Sequence, residues 1–278
     1  MNNALFDLSG RVSVVSGAAQ GMGRATALAL AGAGSDLVLV DRNSEGMAET
    51  AASIEQTGRR ALSVSIDVSS GEQVCDMYRQ VDEHFGQVDF VANIAGEGKI
   101  VAPEDLTEEQ LIDVLKNLVV GRYISCREAG RRMLAQGRGS IVNIGSLASI
   151  TALGRSHVSY SMSMGAVVQM TRELSTEWSG RGVRVNAILP AQVINPSLQE
   201  RMDADPELEA QFLSGIPAGR MGVPEDIQGL MVLLASDASS WITGALIPMD
   251  GGNLAMNAGG TPGWMRAESA DGFESGGG

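Results

Sequence analysis

The chain has few of the residues that build metal centres and disulfide frameworks. Its 278 residues include only two cysteines, Cys75 and Cys126, and two histidines. The cysteines lack the spacing of metal ligands, so free thiols are favoured over a zinc site or a disulfide framework. The sequence therefore predicts no metal cofactor.

Long apolar runs and positive charge are also scarce. No stretch approaches the apolar length of a membrane span. Residues 1–8 lack the basic segment and long apolar run of a signal peptide. We therefore expect a cytoplasmic protein with no membrane partner. The formal net charge of −13 disfavours nucleic acid as a partner, because its phosphates would be repelled on average.

The chain does contain short apolar runs that alternate with helix-length amphipathic segments. Nearly continuous apolarity, rather than alternation, is typical of parallel strands covered on both faces. Strands separated by helices predict an α/β fold, a doubly wound parallel sheet of about seven strands with helices on both faces. Pro224, followed by two acidic residues, predicts a helix that runs to about Ala235. The predicted strands are 11–16, 36–40, 62–66, 88–92, 140–144, 183–189 and 245–249.

A glycine-rich turn joins the first strand to an alanine-rich helix. It contains Gly17, Gln20, Gly21, Met22 and Gly23. The first glycine permits a tight turn, the second lets the backbone approach a pyrophosphate, and the third allows close helix packing. With the free N–H groups of the helix N-terminus, this arrangement predicts a dinucleotide-binding site.

A carboxylate follows the second strand, eighteen residues after Gly23. Asp41 at this position would accept hydrogen bonds from the adenosine ribose hydroxyls and repel a 2′-phosphate, which favours NAD over NADP. Arg42 beside it would bind such a phosphate if it turned inward. The alternative interpretation is that Asp41 only caps the next turn.

Further motifs follow the later strands, and they identify a family. Asp67 and Val68 follow the third strand, and Asn117, Ser146 and Tyr160 come later in the chain. With the segment from Asn93 through Ala95 to Gly96, they make residues 5–254 resemble the short-chain dehydrogenase/reductase family. The resemblance implies a Rossmann-like fold, a small-molecule substrate and a homotetramer with interfaces around Asn117, Tyr160 and the last strand.

The resemblance also implies contacts with the cofactor. In this family Asp67 and Val68 would flank the adenine, while Asn93, Ala95 and Gly96 would line the cofactor groove. The segment from Pro190 to Val193 would touch the nicotinamide carboxamide. The family usually has glycine and threonine where this chain has Ala191 and Asn195.

Three polar residues are the candidate catalytic groups. Hydride transfer between nicotinamide and a carbonyl needs a proton delivered to, or removed from, the substrate oxygen. Tyr160 would be this acid/base, and Ser146 would hydrogen-bond the same oxygen and orient it. By the resemblance, Asn117 would secure a water in a proton relay.

The chain departs from the family at residue 164. The family signature places a lysine four residues after the tyrosine, on the same helix face, and this chain has Met164. In relatives that lysine binds the nicotinamide ribose and lowers the pKa of the tyrosine. Methionine supplies neither charge nor donor. A phenol with the reference pKa of about 10 is only about one part in a thousand ionised at pH 7.

Three hypotheses follow from Met164. The first is a dehydrogenase that works slowly, works at higher pH or uses another group in place of the lysine, with His157 as a candidate. The second is an imine reductase, since an iminium already carries the activating charge and Glu97 would attract it. The third is a cofactor-binding protein, or a lysine-replaced variant, with little or no catalysis.

The chain shows no linker that would divide it into two units. Residues 1–254 are predicted to form one dinucleotide-binding and catalytic domain. Residues 255–278 are rich in glycine and polar residues and are expected to be an arm on a neighbouring subunit or a disordered tail, with disorder in the last ten or so. Substrate choice is assigned to two loops, 148–157 and 192–221.

Overall fold

The computed structural model describes residues 4–256 and 260–267. All seven predicted strands form and belong to one sheet with the order β3-β2-β1-β4-β5-β6-β7. Every neighbouring pair is parallel, so the α/β prediction is confirmed. The strands are β1 (Val12–Ser16), β2 (Asp36–Asp41), β3 (Ala61–Ser65), β4 (Phe90–Asn93), β5 (Gly139–Ile144), β6 (Val183–Pro190) and β7 (Leu246–Met249).

Helices connect the strands and cover both faces of the sheet. The helix predicted after Pro224 begins as a 3-10 turn, Pro224–Ile227, before it becomes regular. The α-helices are α1 (Gly21–Gly32), α2 (Ser44–Glu55), α3 (Gly71–Phe85), α4 (Glu108–Leu115), α5 (Gly121–Gln136), α6 (Val158–Trp178), α7 (Pro196–Ala204), α8 (Pro206–Leu213), α9 (Gln228–Ala235) and α10 (Gly263–Ala267). Within the described ranges, none is long and apolar enough to span a membrane.

Two apolar clusters hold the helices against the sheet. One joins α1, α2 and α9 to the strands and includes Leu30, Leu39 and Met231. The other joins α3, α5 and the end of α6 to the opposite face and includes Tyr78 and Met133. Because both faces are covered, the five inner strands are buried along most of their length, which explains their continuous apolarity. The edge strands β3 and β7 are less buried.

The order in which strands are added to the sheet reverses between β1 and β4. From β1 the sheet extends through β2 to β3 on one side and through β4 to β7 on the other. The loops after β1 and β4 therefore separate, and they leave a crevice at the carboxyl ends of the strands. Ligands of open α/β sheets bind at this kind of switch point.

Part of the carboxy-terminal segment packs back onto the domain. Trp264 on α10 donates a hydrogen bond from Nε1 to the carbonyl oxygen of Ile216, at 3.3 Å. Residues 257–259 and 268–278 lie outside the described residues. The disorder predicted for the last ten residues of the chain concerns this undescribed part. The predicted arm on a neighbouring subunit remains a prediction.

Gly121 provides a test of the packing between α5 and the loop after β3. A Cβ at residue 121 would lie 1.9 Å from the carbonyl oxygen of Val68. We therefore expect Gly121→Ala to lower the free energy of unfolding by about 1–3 kcal/mol, since the backbone must shift. Urea unfolding measures this change.

Gly229 is the matched control. It lies in α9, and a Cβ there would meet nothing within 4 Å. Gly229→Ala should leave the free energy of unfolding unchanged or raise it by up to about 1 kcal/mol, because alanine is the better helix former. Equal losses for the two variants would contradict this account of Gly121.

Candidate active site

A cavity of about 760 Å³ opens at the carboxyl ends of the strands, in the crevice between β1 and β4. Sixteen of the predicted site residues line it. They are Gly17, Gln20, Gly21, Met22, Gly23, Asp41, Arg42, Asp67, Val68, Ala95, Gly96, Asn117, Ser146, Tyr160, Pro190 and Val193.

The glycine-rich turn has the geometry that a pyrophosphate site needs. Gly17 and Gly21 have φ angles of 76° and 54°, in the left-handed region that favours glycine. A Cβ on Gly23 would lie 1.9 Å from the carbonyl oxygen of Gly17, so no larger residue fits. The N-terminus of α1 therefore faces the cavity with free N–H groups, and this cradle fits a dinucleotide.

Asp41 both stabilises the local backbone and faces the cavity. Its carboxylate accepts hydrogen bonds from the N–H of Ala19 at 3.1 Å and of Asn43 at 3.0 Å. The capping interpretation is thus correct for the Asn43 contact, yet Asp41 also lines the cavity. Arg42 forms an ion pair with Glu97 at 3.1 Å. The sequence offered Arg42 as a ligand for a 2′-phosphate and Glu97 as a partner for a cationic substrate. In the structure these two side chains pair with each other.

Asp67 and Val68 line the cavity, and their contact with an adenine stays a prediction. The pKa of Asp67 is lowered by a hydrogen bond from the backbone N–H of Ser69, and further by one from its hydroxyl. Asp67 is therefore ionised at neutral pH. The cavity wall at this end is acidic, since Asp41 also lines it.

Asn93 does not line the cavity. Its side chain is buried, donates to the Oδ1 atom of Asn143 at 3.0 Å and accepts from the hydroxyl of Ser125 at 2.8 Å. Asn143 in turn accepts a weak contact from Cys126 and donates to Thr171. The predicted groove contact of Asn93 is therefore wrong for its side chain. The side chain joins β4, β5, α5 and α6 beneath the cavity.

Met164 also lies outside the cavity wall. It is 1% exposed and packs in an apolar cluster with Val114, Leu118 and Val167. Tyr160 packs against the same cluster. Met164 is therefore part of the apolar core beside Tyr160.

The three candidate catalytic residues all line the cavity. Tyr160 lies in the first turn of α6, and its ring packs against the backbone of Gly98, where a Cβ would approach it to 2.7 Å. Ser146 ends the loop after β5 and accepts a hydrogen bond from the N–H of Ala148 at 3.2 Å. Within the described residues the hydroxyl of Ser146 donates no hydrogen bond, so its donor capacity is unused.

Asn117 lies in a π-helical turn, Lys116–Val120, between α4 and α5. Such turns occur mostly at functional sites, because they displace backbone groups from the regular helical pattern. The Oδ1 atom of Asn117 accepts a hydrogen bond from the N–H of Glu97 at 2.8 Å. The side chain thereby fixes the loop after β4 beside Tyr160.

Arg122 is a buried cation that the sequence interpretation missed. It is 6% exposed. Its guanidinium donates to the carbonyl oxygens of Ile144 at 2.7 Å and Ala95 at 3.1 Å. No carboxylate in the described part of the chain pairs with it. With Asn117 it borders a second cavity of about 20 Å³, room for one water molecule.

Arg122 and Tyr160 interact electrostatically. Burial lowers the pKa of Arg122 to about 10, whereas Tyr160 acts in the opposite direction. The guanidinium is thus still charged at neutral pH. Nothing in the sequence around Arg122 indicates that it is buried. Its burial is evident only from the packing of the folded chain.

The other end of the cavity is basic. Arg155, His157 and Arg201 line it, together with the aromatic ring of Phe212. The His157 and Tyr160 rings lie 6.1 Å apart. The pKa of His157 is lowered mainly by burial and also by the charges of the two arginines. His157 is therefore neutral at pH 7 and does not supply a positive charge to Tyr160.

The segment after β6 completes the cavity wall. Pro190 ends β6, and Val193 pairs with Gly222 in an isolated bridge. Asn195, where the family has threonine, caps α7 by accepting a hydrogen bond from the N–H of Leu198 at 3.0 Å. Asparagine, like serine or threonine, is a favourable N-cap residue, so Asn195 can begin α7 as a hydroxyl residue would.

Comparisons with known proteins agree with this architecture. The family model described as enoyl-(acyl carrier protein) reductase matches residues 17–253. A D-threitol dehydrogenase from Mycolicibacterium smegmatis is 36% identical over 247 residues, which are 89% of this chain and 94% of that protein.

Two solved structures extend the comparison. The first, from Beutenbergia cavernae, has a proposed NAD(P)-dependent gluconate 5-dehydrogenase activity and holds NADP at low occupancy. It is 37% identical with a TM-score of 0.85, covering 90% of this chain and 99% of that one. The second is an NAD⁺-bound xylitol dehydrogenase, 31% identical with a TM-score of 0.82, covering 87% and 98%. The chain therefore belongs to the short-chain dehydrogenase/reductase family of nicotinamide-dependent oxidoreductases.

Proposed function

We propose that the protein is an NAD(H)-dependent dehydrogenase that transfers a hydride between nicotinamide and an alcohol or carbonyl of a sugar-derived substrate. One observation carries this proposal: Tyr160 and Ser146 line one cavity with the glycine-rich turn and the segment after β6. Relatives that act on threitol, gluconate and xylitol support the substrate class.

The acidic end of the cavity supports NAD as the cofactor. Asp41 would accept hydrogen bonds from the ribose hydroxyls, and its charge would repel a 2′-phosphate. Arg42, the cation nearest in sequence, is held by Glu97. Relatives hold either NAD⁺ or NADP, so the preference rests on this chain's own residues.

Removal of the Asp41 charge tests the cofactor preference. We expect Asp41→Ala to weaken NADH binding about 10-fold and to strengthen NADPH binding, because a repulsive charge and two acceptors are lost. Calorimetric titration with both reduced cofactors measures the ratio. Glu45→Gln, an exposed charge change outside the cavity, is the control, and an unchanged ratio for Asp41→Ala would contradict the proposal.

The proton chemistry is assigned to Tyr160. NAD, when bound, supplies the carbon atom that accepts or gives the hydride. Tyr160 would take the hydroxyl proton during oxidation and return it during reduction. Ser146 would donate a hydrogen bond to the same oxygen and hold it in position. Asn117 would keep the neighbouring loop in place through its bond to Glu97.

Tyr160→Phe tests this role. We expect kcat to fall by about 10²- to 10⁴-fold while NADH binding is retained, because only the proton-transferring oxygen is removed. Steady-state kinetics and cofactor titration separate the two effects. Tyr123→Phe alters an exposed tyrosine on α5 and should leave kcat unchanged. Equal activity of Tyr160→Phe and the parent protein would remove Tyr160 from the mechanism.

We further propose that Arg122 supplies the positive charge that Met164 does not. Its guanidinium is held by backbone carbonyls at the ends of β4 and β5, next to the cavity floor. A buried charge without a carboxylate partner acts through a low dielectric, so its field reaches the active site with little screening. The proposal favours the first hypothesis on Met164, a dehydrogenase that uses another group in place of the lysine, and it names Arg122 as that group.

A double-mutant cycle tests the assignment. Arg122→Gln should move the pH profile of kcat for alcohol oxidation upward by about one to two pH units. Met164→Lys should reverse most of this shift in the Arg122→Gln background and change the parent profile much less, because one charge is already present. Equal effects of Met164→Lys in both backgrounds would contradict the assignment.

Arg122→Lys is the control for folding. It keeps the charge but not the full set of hydrogen bonds, so it should lower Tm while the pH profile stays near that of the parent. Cofactor titration of each variant shows that the site is intact.

The charges oppose the imine hypothesis. Arg155 and Arg201 would repel an iminium cation, and Glu97, which was expected to attract one, is paired with Arg42. Screening of ketones and cyclic imines by nicotinamide absorbance compares the two substrate classes directly. The positions of Ser146 and Tyr160 in the cavity wall weigh against the non-catalytic alternative, which rests on Met164 alone.

We also propose a cytoplasmic homotetramer. Exposed apolar side chains on α4, α5 and α6 support subunit contacts there, and Trp241, before β7, is 99% exposed. Large exposed apolar patches are typical of protein interfaces. Tyr123 and Met162 belong to this set.

A further inference from the structure

Two arginines face the substrate end of the cavity without acidic partners. Arg155 precedes α6, and Arg201 lies on α7. Within residues 4–256 and 260–267, neither guanidinium has an ion pair or a hydrogen bond, whereas Arg42, Arg132 and Arg220 are all paired. In a chain with a formal net charge of −13, two unpaired arginines at one place are a distinct feature.

The two charges repel each other. The pKa of Arg155 is lowered by burial and further by the charge of Arg201. Two like charges on the wall of one cavity are unfavourable unless an anion lies between or beside them. Arginine forks match the geometry of carboxylate and phosphate groups. The pair therefore has the chemistry of an anion subsite.

The residue that follows Arg155 has an unusual backbone conformation. Ser156, the next residue, has a φ angle of +56° and is the one non-glycine residue with a positive φ among those described. Such strain clusters at functional sites. The carbonyl of Ser156 accepts a hydrogen bond from Val101 at 3.0 Å, and the Arg155 guanidinium lies 4.9 Å from the centre of the Phe212 ring.

Arg201 is held by the packing of α7. Leu198, one turn earlier, lines the same cavity, and Leu198 and Met202 bury their side chains in a local apolar cluster. Pro196 and Ser197 also line the cavity. The partial positive charge at the N-terminal end of α7 therefore adds to the attraction for an anion.

The pair lies at the catalytic end of the cavity rather than at the adenosine end. The charges of both arginines lower the pKa of His157, and the His157 ring is 6.1 Å from that of Tyr160. The adenosine end carries Asp41 and Asp67 instead. The cavity is thus acidic toward the cofactor's ribose and basic beyond Tyr160.

We propose that Arg155 and Arg201 bind an anionic group at the far end of the substrate, so that the enzyme acts on acidic sugar derivatives in preference to neutral polyols. The anion is a carboxylate or a phosphate ester, which present the same chemistry to an arginine pair. This inference rests on the proposed dehydrogenase function and names its substrate class.

Matched substrates test the preference. Each aldonate is compared with its polyol, which has a hydroxymethyl group in place of the carboxylate: D-threonate with D-threitol, D-xylonate with xylitol and D-gluconate with sorbitol. Sorbitol 6-phosphate is the phosphate arm. We expect a higher kcat/KM for the anionic member, and the better anion identifies the carboxylate or the phosphate ester.

Arginine variants assign this preference to residues. Arg155→Gln and Arg201→Gln should each lower kcat/KM for the anion about 10- to 100-fold, mainly through KM, and change the polyol value less than about 2-fold. Arg172→Gln, an exposed charge change on α6 outside the cavity, should change neither. Equal losses for anion and polyol would overturn the subsite.

A readout without turnover separates this proposal from the proposed function. The chain has two histidines, so NMR can follow the titration of His157 separately. The complex is formed with NADH and D-gluconate, which do not react because both are in the reduced form. An anion beside the arginines should raise the pKa of His157 relative to the complex with sorbitol, while His84 on α3 stays constant. An unchanged His157 titration with D-gluconate and with sorbitol 6-phosphate would overturn the anion subsite.

A different result would contradict the dehydrogenase function. If no compound of the panel is oxidised, that function is contradicted for this substrate class, while the His157 titration still decides the anion subsite. If polyols are oxidised and His157 does not respond, the dehydrogenase stands and the anion subsite fails.

Discussion

The parallel pairing of β1 with both β2 and β4 is the constraint on which the site depends. All seven strands point the same way, so every loop that follows a strand opens at the same edge of the sheet. The chain turns outward in opposite directions from β1 and β4, which creates the crevice. The glycine-rich turn, Asp41, Ser146 and Pro190 meet there although they are distant in sequence.

Beneath this crevice a buried polar network ties the strands to the helices. Asn93 and Asn143 pair across β4 and β5, and Ser125 and Thr171 connect them to α5 and α6. Burial of so many polar groups is tolerated because they are hydrogen-bonded to one another. The network fixes the helices that carry Arg122 and Tyr160, so catalytic geometry is inherited from the core rather than from surface loops.

Charge is distributed unevenly along the cavity. Carboxylates occupy the adenosine end, a buried guanidinium lies beneath the catalytic end, and Arg155 and Arg201 lie beyond it. This order matches what a dehydrogenase of anionic substrates requires: a ribose acceptor, a cation near the proton-transferring phenol and a counter-charge for the substrate. In the proposed mechanism the positive charge lies on α5, at Arg122, while Met164 on α6 packs in the apolar core.

The sequence by itself determined the fold and predicted most of the residues that line the cavity, since both depend on local patterns. Apolar runs, glycine spacing and strand-end polar residues each act within a few neighbours, and all seven strands lie within two residues of their predicted limits. Tertiary structure alone decided the buried role of Asn93, the cation under the site and the basic end of the cavity. Arg122, Arg155 and Arg201 come from three separate elements, and whether an arginine is buried, paired or unpaired depends on side chains that only folding brings beside it.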